Sequence, residues 1–181
     1  NESDYSIYDY QMDISGSKFI VTNNNVQFTV HTKLLGRYNV YNILTLVALL
    51  HEMNISESSI QKIIPELDAP AGRMEFINYN NNAIVIDYAH TPDAIEKVMT
   101  TVKEVVHGKT YVVFGCTGDR DRTKRPIMTE LVNRLSDYFI ITNDDPHYED
   151  PNQIVDDMIK DFSSDKYEVC LDRKEAIIKG I

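Results

Sequence analysis

Apolar and polar residues alternate along residues 17–21 and again along 26–32, on either side of Thr22-Asn23-Asn24-Asn25. A period of two around an Asn-rich turn predicts a β-hairpin. Residues 1–15, rich in Tyr and Asp, are read as a further strand. The period then changes. Val40, Ile43, Leu44, Val47 and Leu50 recur at helical spacing. They predict a helix with one buried stripe from Asn39, taken as its N-cap, to about Met53. A second helix is expected over 56–64, capped by Ser56 and stopped by Pro65, whose ring blocks the helical hydrogen bond. Residues 65–72 hold two prolines and a glycine without apolar periodicity, and form the candidate linker.

Beyond that linker, strands are expected at 74–79, 83–87, 111–114, 138–142 and 166–171. Helices are expected at 91–106, 126–135, 150–162 and from 173 onward. Thr91 and Asp150 stand where N-caps belong, each followed by a proline suited to the first helical position. Strand–helix repetition with nearly continuous apolar strands predicts an α/β fold whose parallel sheet is covered on both faces. The first β segments belong to no such repetition, so the chain reads as the tail of one domain and most of a second.

In open parallel sheets, ligands bind beyond the carboxyl ends of the strands. Three loops are expected along that edge: residues 87–93, 115–126 and 143–150. The second holds Gly115 and Gly118, which permit close backbone approach and unusual dihedrals. It also holds Arg120, Arg122, Lys124 and Arg125, four cations within six residues. An arginine fork matches a carboxylate or phosphate at two points at once. Solvated ion pairing is the plainer account of such a run, each exposed pair being worth roughly 0–1 kcal/mol. In the first loop, Asp87 closes a strand, where an acid can accept hydrogen bonds from ribose hydroxyls; His90 follows.

Composition sharpens this picture. The 181 residues are 43% hydrophobic and 25% charged, with a net charge of −10. So acidic a surface disfavours nucleic acid and anionic membranes as partners. The longest apolar run, residues 43–50, falls well short of the roughly 20 residues a bilayer span needs. No secretory leader is visible. Cys116 and Cys170 lie far apart in apolar surroundings, which fits a reducing cytoplasm rather than a disulfide or zinc framework. Gly108-Lys109-Thr110 ends like a phosphate-binding P-loop but lacks the earlier glycine, Lys103 standing there, and it precedes a strand instead of following one. The dinucleotide fingerprint is absent too, which disfavours hydride transfer.

Four segments, in order, resemble motifs of the Mur ligases, with most similarity to the MurE type that adds the third amino acid to the peptidoglycan precursor. They are Gly36-Arg37-Tyr38-Asn39-Val40-Tyr41-Asn42, Gly72-Arg73-Met74-Glu75, Asp87-Tyr88-Ala89-His90-Thr91-Pro92-Asp93, and residues 115–126. The resemblance implies two domains. Residues 1–71 would close a central ATPase domain, and 72–181 would form most of a C-terminal Rossmann-like domain with a mostly parallel sheet. The family's P-loop and magnesium ligands would lie upstream of Asn1, and its Gly-Lys-Gly-His-Glu segment beyond Ile181. The implied activity is ATP-dependent ligation of an amino acid to UDP-MurNAc-L-Ala-D-Glu through an acyl phosphate, by a cytoplasmic monomer using ATP and Mg2+. The segment alone would be inactive. Alternatives are a ligase like folylpolyglutamate synthetase, which has a similar Asp-Tyr-Ala-His-Thr-Pro segment, or a binding module without catalysis. By position, the resemblance assigns Asn42, Arg73, Asp87 and His90 to ATP, and Arg120 to a carboxylate of the incoming amino acid.

The third loop departs from the family. Relatives that add diaminopimelate carry Asp-Asn-Pro-Arg where this chain has Asp144-Asp145-Pro146-His147, and His147 keeps the family's spacing of 27 positions after Arg120. An imidazole, with a reference pKa of roughly 6.5, is only partly charged at neutral pH. The substitutions remove a fixed cation and add an acid. That disfavours a second carboxylate on the substrate and favours an amine-ended, lysine-like side chain.

Overall fold

The computed structural model describes residues 4–23, 26–80 and 82–181, and the chain divides into two compact units. One comprises residues 1–87 with 104–106; the other comprises 88–103 with 107–181.

The first unit contains β1 (Tyr5–Asp13), β2 (Gly16–Asn23) and β3 (Val26–Thr32), antiparallel and in that order across the sheet. The strand expected within residues 1–15 is β1; residues 1–3, and Asn24 and Asn25 of the expected turn, lie outside the described residues. Period-two patterning does what it predicts: Ser17, Phe19 and Val21 are buried, whereas Lys18 is exposed and Ile20 half-buried. Phe19, Val21 and Val30 form one core with α1 (Arg37–Glu52) and α2 (Glu57–Ile63), through Val40, Ile43, Val47 and Ile60. Ser56 caps α2 as expected, its hydroxyl accepting the Ser59 N–H at 3.4 Å. Asn39 does not cap α1. The helix starts after Gly36, held at φ 91°, and the Asn39 amide donates to the Leu35 carbonyl at 2.8 Å. Only glycine takes that backbone shape without strain, so Gly36 sets the boundary. Pro65 does not end the helical run abruptly; a 3-10 turn, Ile64–Glu66, accommodates it in the first turn, where no N–H is needed.

The strands β4 (Glu75–Tyr79) and β5 (Asn82–Ile86) pair antiparallel with each other, from Glu75 opposite Ile86 to Tyr79 opposite Asn82. The expectation that residues 83–87 form a strand of the parallel sheet is therefore not met. Only Asn80 and Asn81 separate the two strands, and closing so short a loop costs little chain entropy. An unbroken apolar run carries no register signal to say which sheet it joins.

The second unit is the α/β part. β6 (Tyr111–Phe114), β7 (Tyr138–Ile141) and β8 (Tyr167–Val169) form a parallel sheet in the order β6-β7-β8. Helix α3 (Pro92–Val105) precedes it, α4 (Lys124–Leu135) and α5 (Pro151–Met158) connect its strands, and α6 (Arg173–Gly180) follows. Phe139 and Ile141 enter a core with Ile95, Met99, Met128, Val132, Ile154 and Met158, whereas Ile140 joins Cys170 and Ala176 in another. Both faces of β7 are thus covered, which is why it reads as continuously apolar. Thr91 and Asp150 cap their helices as expected, accepting from the N–H groups of Ala94 at 3.3 Å and Asn152 at 2.9 Å. The helix α4 begins two residues earlier than expected, with Pro126 in its first turn, and α5 stops at Met158. Both cysteines are free and buried, and burial pushes the Cys116 thiol up to about 12, too high for a nucleophile at neutral pH. Among the described residues, no helix is long and apolar enough to cross a membrane.

Candidate functional site

Parallel pairing of β6 with β7 sends the chain out of both strands on the same edge. The loops that follow are stitched together by their backbones. The Gly118 N–H donates to the Asp145 carbonyl at 2.8 Å, and the Tyr148 N–H donates to Asp119 Oδ2 at 3.4 Å. The Thr117 hydroxyl donates to Asp144 Oδ2 at 2.9 Å. Two glycines make this approach possible by lacking a side chain, not by unusual dihedrals. A Cβ on Gly115 would collide with the Thr142 carbonyl oxygen, and one on Gly118 with that of Pro146. The left-handed residue in this loop is Asp119, at φ 52°, and in the next loop it is His147, at φ 49°. Gly118→Ala meets backbone, which cannot swing aside, so the loops must part. The expected result is a loss of about 1–3 kcal/mol, read by denaturant unfolding.

Of the four cations in this loop, one is not available to a ligand. Arg125, at the start of α4, is 1% exposed. Its Nη2 donates to Glu149 Oε1 at 2.8 Å, and its Nη1 to Glu149 Oε2 at 3.0 Å and Asp157 Oδ2 at 2.7 Å. Arg122 adds a second cation to Glu149, 2.8 Å from Oε2, and Lys124 stands 3.8 Å from Asp121. Glu149 also accepts the Asp119 N–H at 2.6 Å. The Arg125 hydrogen bonds, then the Asp119 N–H and the charges of Arg125 and Arg122, hold the Glu149 carboxyl down at about 2. A carboxyl so depressed stabilises the fold above its ordinary value near 4.5, and that contribution disappears as pH falls toward 2. The network is therefore fully charged throughout the neutral range.

Arg120 is left over. Its side chain is exposed and, among the described residues, it makes no hydrogen bond or ion pair. Asp144 lies 3.7 Å from Arg173 Nη1; Asp145 Oδ1 accepts the His147 N–H at 3.1 Å and lies 3.9 Å from its Nδ1. His147, Asp144 and Asp145 are all exposed. The structure thus joins the second and third loops into one rim carrying Arg120, Asp144, Asp145 and His147, an arrangement suited to a zwitterionic ligand.

The residues expected at a nucleotide fall partly in each unit. In the first, Asn42 is exposed on α1, its amide 3.3 Å from Asn39 Oδ1. Asp87 follows β5, and one carboxylate oxygen accepts the Met74 N–H at 2.9 Å. The other oxygen remains for a hydroxyl. The Tyr38 phenol is pushed up to about 12, by burial first and by the Asp87 charge second. Arg73 is exposed in the turn before β4, its backbone N–H bonded to the Pro70 carbonyl at 3.1 Å. In the second unit, His90 Nδ1 sits 2.9 Å from the Tyr88 carbonyl, which can only accept, so Nδ1 carries the proton and the neutral ring offers Nε2 as an acceptor. Among the described residues no three His, Cys, Asp or Glu side chains converge as metal ligands.

Residues 72–181 match the family described as "Mur ligase, glutamate ligase domain". The chain belongs to the Mur ligase family. Its relatives include the UDP-N-acetylmuramoyl-L-alanyl-D-glutamate–2,6-diaminopimelate ligase of Bacillus cereus, 38% identical over 96% of this chain and 37% of that protein. The ligase of the same name from Pseudomonas putida is 43% identical over 82% of this chain and 30% of its own length. The chain spans less than two fifths of these curated relatives. A solved structure of such a ligase is 36% identical and superposes with a TM-score of 0.68, over 98% of this chain and 37% of that one. Folylpolyglutamate synthase from Thermotoga maritima, at 23% identity, has the same fold, with a TM-score of 0.79 over 97% of this chain and 41% of its own.

In this Mur ligase chain, sequence reasoning named Arg125 as a candidate cation but missed its burial and its partners Glu149 and Asp157. The signal was present: Arg125 shares a helical stripe with Met128, Thr129 and Val132, all buried. A cation at that register needs anions facing it.

Proposed function

We propose that this chain is the amino-acid-binding part, with a share of the nucleotide site, of an ATP-dependent ligase that adds the third residue to UDP-MurNAc-L-Ala-D-Glu. The observation that carries this reading is the rim after β6 and β7, where an exposed and unpaired Arg120 stands on a segment locked to the one bearing Asp144, Asp145 and His147. Arg120 would grip the carboxylate of the incoming amino acid at two points. Asp87 would take ribose hydroxyls on its spare oxygen, Asn42 would face the adenine, Arg73 would meet the phosphates, and His90 would lie beside the nucleotide.

ATP, when bound, supplies the phosphoryl group that turns the glutamyl carboxylate into an acyl phosphate. The amino group of the incoming residue attacks its carbonyl, phosphate leaves with the bonding pair, and an amide forms as the amine loses its proton. What these side chains contribute is placement and charge. Mg2+ rests on the resemblance alone. We read the whole enzyme as a cytoplasmic monomer acting on small molecules.

The test is ATP-dependent ligation by the intact protein, with UDP-muramoyl dipeptide and a panel of amino acids. Turnover with diaminopimelate or lysine supports the reading. Turnover only with a folate and glutamate, or none at all, overturns it. Which diamino acid is preferred depends on the third loop, where the exposed Asp145 sits beside His147 and no arginine stands at 147, which favours an amine-ended side chain. His147→Arg is expected to shift the ratio of kcat/KM values toward diaminopimelate by about tenfold, the order of one charge-assisted hydrogen bond. An unchanged ratio removes His147 from specificity.

A further inference from the structure

Glu149 does not point at the ligand rim's open side; its carboxylate is almost wholly spent inside the protein. Its side chain is 8% exposed, yet it is bonded to three separate pieces of the second unit. Oε1 accepts the backbone N–H of Asp119, the residue immediately before Arg120, and both oxygens are gripped by Arg125 at the start of α4. Arg122, on the far side of Arg120, reaches Oε2. Glu149 itself stands two residues after His147, and the Tyr148 N–H between them returns a bond to Asp119. One carboxylate thus holds the chain on both sides of Arg120 and pins it beside His147. A loop with an exposed arginine at its tip otherwise samples many positions, and a bidentate grip on a ligand requires the fork to be held in one of them.

We propose that Glu149 is the positioning residue for the amino-acid site: its carboxylate, anchored on Arg125, holds the backbone N–H just before Arg120 and the Arg122 side chain just after it, so that the guanidinium and His147 address one ligand. Glu149 touches no substrate in this arrangement and acts through Arg120. The proposal rests on the reading of Arg120 as the carboxylate grip.

Two measurements on the intact protein test it separately from that reading. The first needs no chemistry. Amide hydrogen exchange at Gly118 and Asp119 is expected to quicken at least tenfold in Glu149→Gln, with the amides of β6 unchanged. Equal exchange in both proteins overturns the positioning role whether or not the protein is a ligase. The second is a kinetic double-mutant cycle. Glu149→Gln is expected to raise KM for the amino acid at least tenfold, leave KM for ATP within twofold, and add less than threefold once Arg120→Ala is present. A loss confined to kcat, equal rises in both KM values, or full additivity with Arg120→Ala assigns Glu149 to the fold alone and refutes the proposal. Should Glu149→Gln melt below the assay temperature, Arg122→Ala removes the exposed arm of the same grip and is expected to give the same KM split at about threefold; no split there is equally fatal. If wild type ligates nothing while the exchange result holds, the ligase reading falls and the positioning of Arg120 stands.

Discussion

Arg125→Ala is expected to cost the second unit about 3–5 kcal/mol, seen as a lower urea midpoint at unchanged slope. Arg125 is 1% exposed and is the cation between two acids, Glu149 and Asp157. Truncating it leaves the nearly buried Glu149 and the partly buried Asp157 without their shared cation; among the described residues Arg122 still reaches Glu149 but pairs with no other acid of this group. The loss comes from uncompensated buried charge more than from the attraction removed. Arg125→Lys keeps the charge but cannot present two separate nitrogens to two carboxylates, so it is expected to fall between wild type and Ala. A midpoint unchanged in Arg125→Ala would show that these ions are solvated after all.

Arg120→Ala is expected to do the reverse: little change in stability, and a rise of about 10- to 100-fold in the KM for the amino acid in the intact enzyme. The magnitude is that of losing hydrogen bonds to a charged group, roughly 1.5–3 kcal/mol. The side chain is exposed and has no intramolecular bond among the described residues, so removing it disturbs nothing in the fold. Steady-state kinetics with each substrate varied in turn decide the matter. A comparable rise for ATP would mean that Arg120 serves the nucleotide or the general shape of the loop.

What could be read from sequence follows the range of the interaction. Ser56, Thr91 and Asp150 were legible as caps because a cap is decided within three or four residues. Asn39 looked equally suitable and was not one, because Gly36 three positions earlier already adopts the backbone shape that starts the helix. The strand at Asn82–Ile86 was legible as a strand, but its partner was not: pairing is decided by the rest of the chain, and four apolar residues in a row look alike in a hairpin and in a buried sheet. At the rim, Arg120 and the loop holding His147 were legible from motif order. The separate fates of Arg120 and Arg125 were not, since both stand in one run of cations. Only the stripe of α4, together with two acids 24 and 32 positions further on, tells them apart.

The separation between the grip of Arg125 on Glu149 and the residues just before it bears on how this rim tolerates change. Asp144, Asp145, His147 and the 98% exposed Tyr148 are not pinned by buried neighbours, whereas Glu149 is. Substitutions at these four positions can therefore change the charge and shape of the rim without removing a buried ion pair. A lineage that loses Glu149 has to find a new anion for Arg125 in the same step, so drift at 149 is gated while drift at its doorstep is open.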